Sequence, residues 1–316
     1  MDSGKSVKAL FEKPEDKHEG TSGFAAFLEN LIGDGAKISS QLLENLKDQK
    51  TGRSHESNHA PFNRAFDVDL PLWLWYETKE QSYRRRRFAI SMRGIAQMHP
   101  SDLMDDVLDW KSLPQESIVV DVGGGIGTSA VAIAKKNDHL KFVVQDLPMI
   151  CAEARAHWSK EYPAIIDTGR LSFMPHDFFT SQPVTNASVF ILKHILHNWS
   201  DLHCYQILKA LRAAATPDTR LVVVDSIVAH ACHDPTIEQG LNSGYKEAPT
   251  PLLPNYGAAN VMPYLLDLAM MFWLNTQERT IGQLDKLLQN TGWKLVSAKR
   301  HGPPSNFPEP VVACPV

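Results

Sequence analysis

The glycines Gly123, Gly124, Gly125 and Gly127 lie in the segment Asp121-Val-Gly-Gly-Gly-Ile-Gly127, directly after an apolar run at 117–122 and before a helix-length stretch at 128–136. Glycine adopts positive φ at low cost and lets backbone N–H groups come close to a ligand. A glycine-rich turn that leaves a strand and opens a helix is the arrangement of a nucleotide-type site in a βαβ unit. This turn therefore asks for a parallel sheet around it.

The chain beyond the turn agrees. Apolar runs at 141–145, 170–174, 187–192 and 220–226 read as strands, and helix-length segments at 149–158 and 201–215 lie between them. Strands that are apolar throughout and alternate with helices imply a parallel sheet covered on both faces. Two further runs, 293–299 and 310–314, close the chain as a final pair of strands. The expected class is α/β, a Rossmann-like sheet of seven strands with helices on both faces, preceded by a short helical N-terminal region.

Before the sheet, 61–110 is rich in aromatic residues and methionine, with apolar positions at helical spacing. The expected organisation is a polar, partly helical segment over 1–60, a helical layer over 61–112 and a cofactor-binding domain over 113–316. Helical patches are expected at 23–32 and 38–46, and 50–59 reads as an exposed loop. Residues 230–259, rich in Pro, Gly and Asn, read as a long loop or lid. A helix is expected over 262–273, and another ends near Gly292, a plausible C-cap.

Composition excludes several classes. Net charge is -4, so no polyanion partner is implied. The one dense basic run, Arg84-Arg85-Arg86-Arg87, reads as a solvated helix face, because four residues make too few phosphate contacts to hold nucleic acid at cellular salt. The 4 cysteines, Cys151, Cys204, Cys232 and Cys314, form no CxxC pair and no zinc-finger spacing. They read as reduced thiols of a cytoplasmic protein. No apolar stretch suits a signal peptide or a membrane span, and no metal is called for.

Three features around the turn bear on its ligand. Asp146 ends the second strand, where a carboxylate accepts ribose hydroxyls; a nicotinamide dinucleotide would be held the same way. Asp121 puts an acid at the start of the turn, which suits a cationic, phosphate-free cofactor better than a pyrophosphate. His176-Asp177-Phe178 follows the third strand and offers an acid and a ring to an adenine. Together they favour S-adenosylmethionine and leave a generic nucleotide site open. In Lys193-His194-Ile-Leu-His197-Asn-Trp199-Ser200-Asp201, Ser200 or Asp201 is placed to cap the next helix, which leaves His197 in a short loop at the carboxyl end of the sheet. Histidine titrates near neutrality and suits removal of a phenolic proton. His194 reads as structural.

The order DVGGGIG (121–127), QDLP (145–148), HDFF (176–179), LKHILHNWSD (192–201) and QERT (277–280) resembles the caffeic-acid-type O-methyltransferases of plants and fungi, most of all the fungal branch of secondary metabolism. The resemblance runs from about Pro61 to the C-terminus. It implies a homodimer that methylates an aromatic small molecule with S-adenosylmethionine and no metal. Gly123 and Gly124 would hold the methionine moiety, Asp146 the ribose, and Asp177 and Phe178 the adenine; Asp121, Gly125 and Leu147 would join the cofactor site, and Lys193 sits at the family's basic cofactor position. His197 would be the base, flanked by Asp225 and Glu278; the family more often has Glu where Asp225 stands. Met92, Trp199 and Met270 are expected to line a substrate pocket, and Met98, Met262, Phe272 and Trp273 are further options. Against the family's winged-helix dimerisation domain a shortened N-terminal region is expected, which would leave Phe11, Phe24 and Phe27 in need of cover. Two alternatives share the fold: a cofactor-binding pericyclase or isomerase, and a non-catalytic cofactor-binding subunit.

Overall fold

The apolar runs pair as one sheet. The structure, a computed structural model, describes residues 16–98, 103–233, 245–299 and 308–316. Seven strands are β1 (Ile118–Val122), β2 (Lys141–Asp146), β3 (Leu171–Pro175), β4 (Val189–Lys193), β5 (Arg220–Asp225), β6 (Trp293–Ala298) and β7 (Glu309–Pro315), in the order β3-β2-β1-β4-β5-β7-β6. β1 to β5 are mutually parallel, and β7 runs antiparallel between β5 and β6. This is the seven-stranded Rossmann-like sheet that the sequence implies.

Burial on both faces explains the near-continuous apolar strands. Val120, Val122, Phe190, Leu192, Leu221 and Val223 point into one core, together with Ile207, Leu211, Leu284 and Leu288 of the covering helices. The alternate residues Val119, Val144, Ile191, Val222 and Val224 point into a second core with Val131, Ile133 and Ala154. Each fully buried side chain of this kind contributes about 1.5–3 kcal/mol. Trp110 and Met104 join the second core, and the Trp110 indole donates to the Met104 carbonyl at 2.6 Å.

The chain forms two compact units: one contains the described part of Met1–Ser101 with Leu268–Thr276, the other Asp102–Asp267 with Gln277–Val316. The first is helical. Its elements are α1 (Phe24–Glu29), a π-turn (Asn30–Gly35), α2 (Ala36–Ser39), α3 (Leu42–Lys47), α4 (Pro61–Phe66), α5 (Leu72–Glu77) and α6 (Ser82–Met98). Ile38, Phe62, Leu72, Trp75 and Tyr76 form its core with Leu274, so most of the aromatic residues singled out in this region are packing. In the second unit the sheet is covered by α7 (Thr128–Ala134), α8 (Pro148–Glu161), α10 (Asp201–Ala214) and α12 (Ile281–Gln289). The short α9 (Pro163–Asp167) follows α8 directly. It is absent from the pattern reading because Pro163, lacking an N–H, ends one helix and starts the next. α11 (Met262–Leu274) leads into the Glu278 segment.

Two expectations are corrected in the helical unit. The arginine run is not simply a solvated face. Arg87 is buried: its Nε donates to Asn30 Oδ1 at 2.7 Å, its Nη1 to Glu29 Oε1 at 2.9 Å, and its Nη2 pairs with Asp34. The π-turn carries Asn30 and Asp34 to that guanidinium. The loop at 50–59 is irregular as expected, yet Asn275 Nδ2 ties it down by donating to the Ser54 and Glu56 carbonyls at 2.9 and 3.0 Å. Phe24 is exposed and Phe27 half-buried, while Phe11 and the middle of the expected lid, 234–244, lie outside the described residues. Among those residues no helix is long and apolar enough to cross a membrane, and all four cysteines are free thiols.

Candidate active site

The strand order reverses direction between β1 and β4, and ligands of open α/β sheets bind outside the carboxyl ends of the strands at such a point. Gly123 follows β1, Asp146 ends β2, Lys193 ends β4 and Asp225 ends β5. The turn is shaped by its glycines. Gly123, Gly125 and Gly127 have φ of 65°, 59° and 79°. Gly124 needs its missing side chain for another reason: a Cβ there would lie 2.6 Å from Asp121 Cγ. At Gly123 a Cβ would lie 2.5 Å from Ile195 Cδ1 and 3.4 Å from the Phe178 ring, so these two side chains close over the turn. Above Gly125 nothing lies within 4 Å.

Asp146 is fixed by the backbone: Oδ2 accepts from Gly125 N and Oδ1 from Leu147 N, both at 2.8 Å. The Leu147 side chain is exposed. Asp121 is buried, and its Oδ2 has no hydrogen-bond partner among the described residues. Burial pushes its carboxyl up to about 6, against the opposing pull of Lys193 and a backbone hydrogen bond from Ala130. Burial also lowers Lys193, which the Asp121 charge resists; its Nζ lies 3.3 Å from Ser129 Oγ. Asp177 is exposed and accepts from Phe179 N at 3.0 Å.

The second cluster lies one and two strands further along. His197 occupies a 3-10 turn (Leu196–Asn198), and its Nδ1 is 2.7 Å from Glu278 Oε1. His197, Asp225 and Glu278 are all buried. Burial alone would lower the imidazole, but the charge and hydrogen bond of Glu278, with the charge of Asp225, raise it to about 9. Burial raises Asp225 to about 6, tempered by His197. Asp225 Oδ1 and Glu278 Oε2 have no hydrogen-bond partner among the described residues.

Sequence reasoning missed what holds this cluster. Arg279 is buried, and its Nη1 donates to Leu196 O and its Nη2 to Trp199 O, each at 2.8 Å. It thereby braces both sides of His197. Asp267 accepts from Glu278 N at 2.8 Å. QERT contained the arginine, but nothing in the pattern told a brace from a surface charge. Of the expected pocket residues, Trp199 packs edge-on against Phe179 and Phe178, with ring centroids 4.7 and 5.9 Å away. Met92, Met270, Phe272 and Trp273 belong to the helical unit and Met262 to the sheet unit. Met92 is exposed, and Met270, Phe272 and Trp273 pack against the helical core. The Met98 side chain lies outside the described residues.

The model of the O-methyltransferase domain family matches residues 44–246. The chain belongs to this family. Among the family's curated proteins, 4-O-methyltransferase 1 of Phanerochaete chrysosporium is 41% identical over 95% of this chain and 64% of its own length. The chain thus spans a little under two thirds of that relative. Solved structures share the fold at low identity. A pericyclic reaction enzyme has a TM-score of 0.69 at 19% identity, over 95% of this chain and 69% of that one. Human N-acetylserotonin methyltransferase, solved in complex with S-adenosylmethionine, has a TM-score of 0.66 at 18% identity, over 94% of this chain and 72% of that one.

Proposed function

We propose that this family member is an S-adenosylmethionine-dependent O-methyltransferase acting on a hydroxyl of an aromatic small molecule, with His197 as general base. The observation that carries the reading is the buried contact between His197 Nδ1 and Glu278 Oε1, 2.7 Å long, beside Asp225. A carboxylate on Nδ1 fixes the imidazole's orientation and leaves Nε2 for the proton to be removed.

The residues of the glycine turn fit the cofactor. The space over Gly125, the Asp146 carboxylate at the strand end, and the buried, unpartnered Asp121 Oδ2 form an acidic, open cradle. It suits a cation with a ribose, and the Asp121 carboxyl at the start of the turn disfavours a pyrophosphate. Asp121 and the turn would take the methionine end, Asp146 the ribose, and Phe178 with Asp177 the adenine. When bound, the cofactor supplies an already activated sulfonium methyl.

The remaining work is positioning and one proton transfer. Raised towards 9, His197 approaches the pKa of about 10 typical of a phenol, so the proton moves between nearly matched groups. Glu278 and Asp225 then stabilise the imidazolium. The buried carboxylate–imidazole pair favours this reading over a pericyclase or isomerase of the same fold, because methylating a phenol requires removal of a proton. The test is incubation with methyl-labelled cofactor and a panel of phenols, with products detected by mass. His197→Ala should abolish transfer while calorimetry shows S-adenosylhomocysteine still bound. Wild-type rates in that variant would sink the assignment.

A further inference from the structure

The same end of the sheet carries a histidine that the proposed reaction does not use. His194 follows β4 with φ 56°, in the left-handed region that non-glycine residues rarely occupy. Its backbone is held there: its N–H donates to Val224 O at 3.0 Å, and its carbonyl accepts from Asn198 Nδ2 at 2.8 Å. The Val224 contact sets His194 beside Asp225, the next residue of β5. The His194 and His197 rings lie 5.3 Å apart between centroids. One donor atom from each of His194, His197 and Asp225 lies within 4.8 Å of the others.

We propose that His194, His197 and Asp225 form an inhibitory binding site for a borderline divalent cation, with zinc the best fit. Two imidazoles and one carboxylate are a donor set for zinc, nickel, cobalt or copper, whereas magnesium and calcium prefer all-oxygen ligands. Tetrahedral binding brings donors to about 3.4 Å apart, so the present spacing, within 4.8 Å, would have to close by roughly an ångström on binding. Glu278 engages Nδ1 of His197 and orients the ring, as a carboxylate commonly does for a metal-bound histidine. The unpartnered Oδ1 of Asp225 is a buried anionic atom that a cation would satisfy. The Arg279 charge acts on Asp225 from nearby but donates it no hydrogen bond, since its guanidinium donors go to Asp201 and the loop carbonyls.

The cation is an inhibitor here and no part of the reaction. It would take the Nε2 lone pair of His197 that proton removal needs. The inhibitory consequence rests on His197 being the base; the binding itself does not.

The experiment uses chelator-stripped protein, zinc chloride in a non-coordinating buffer, calorimetry for binding, and methyl transfer with and without added zinc. Cys232→Ser removes the exposed thiol as a competing ligand. One zinc per chain should bind in this background and slow turnover, with chelator restoring it. His194→Asn, whose asparagine tolerates positive φ, should weaken zinc binding by about a hundredfold and relieve inhibition in parallel. Its metal-free turnover and S-adenosylhomocysteine binding report that it folds. Cobalt should give the visible bands of a tetrahedral site in the parent and lose them in His194→Asn. Undiminished zinc affinity in His194→Asn, or no zinc bound while transfer still depends on His197, overturns this inference and leaves the proposed function standing. Zinc that binds through His194 yet leaves transfer untouched overturns the inhibitory role and argues against His197 as the base.

Discussion

Arg279 grips Asp201 with Nε and Nη2 at 3.0 and 2.8 Å while its other contacts hold the Leu196 and Trp199 carbonyls. The ion pair is the lesser part of this arrangement. Asp201 is exposed, and surface pairs contribute little. The carbonyl contacts matter more, because they fix the turn that carries His197. Arg279 is a positioning residue in this reading, and lysine cannot replace its fork of donors. Arg279→Lys should lower kcat by about a hundredfold with cofactor affinity unchanged, measured by steady-state kinetics beside calorimetry. An equal loss of cofactor affinity would mean that the whole sheet end had shifted.

The ionisation of His197 predicts a pH dependence. Its folded value, raised to about 9 by Glu278 and Asp225 against the pull of burial, lies above the ordinary value of about 6.5. Stability gained from the protonated ring is therefore full below about 6.5 and is lost as pH rises through 9. Activity should run the other way, with kcat/KM climbing to a plateau above about 9, because only the neutral ring accepts a proton. Glu278→Gln removes the principal opposing charge and should move the inflection down towards 6.5. A pH–rate profile of both proteins decides it; an unmoved inflection would assign the titration to another group.

Adjacent glycines of the cofactor turn should respond differently to alanine. At Gly124 the new methyl would meet the Asp121 carboxyl at 2.6–3.0 Å, and that carboxylate, buried beneath the turn, has no room to retreat. Gly124→Ala should weaken S-adenosylhomocysteine binding by roughly tenfold or more, about 1.4 kcal/mol. At Gly125 a Cβ meets nothing within 4 Å, so Gly125→Ala carries mainly the left-handed backbone cost of about 1–2 kcal/mol in stability. Calorimetry and thermal melts of the pair separate the two effects.

These contrasts mark where the sequence was legible. The strands were readable because both faces are buried, so Val119 through Val122 leave no polar residue but Asp121, which the proposed function places at the cofactor. The places of Asp146, His197 and Glu278 in the fold were readable because each stands at the end of a strand or beside a recognisable motif. Arg279, Ile195 and His194 were not, because their roles depend on which atoms meet across distant segments, and one-dimensional periodicity carries no such distances. Arg87 shows the same limit. In sequence it is one of four like charges, and only the three-dimensional approach of Asn30 and Asp34 makes it a core residue.

That burial predicts sharply different costs within one arginine run. Arg87 is 4% exposed and engages Glu29, Asn30 and Asp34. Removing it leaves the buried Asn30 Oδ1 without its donor and Asp34 with Arg84 as its remaining cation, a change that costs about 1–3 kcal/mol. Arg85, half-exposed two residues earlier, should change stability by no more than about 0.5 kcal/mol on conversion to alanine. Acid should find the same cluster. Burial pushes Glu29 up, but hydrogen bonds from Lys17, Tyr83, His18 and Arg87 outweigh it and hold the carboxyl down at about 2. A depressed acid stabilises above its unfolded value of about 4.3 and loses that contribution as pH falls towards 2. Denaturant melts of Arg87→Met and Arg85→Ala at neutral pH, repeated for wild type and Glu29→Gln between pH 5 and 3, test both claims. Glu29→Gln should be the less stable protein at pH 5, and its deficit should shrink towards pH 3 as the carboxylate of the unfolded wild-type chain takes up its proton.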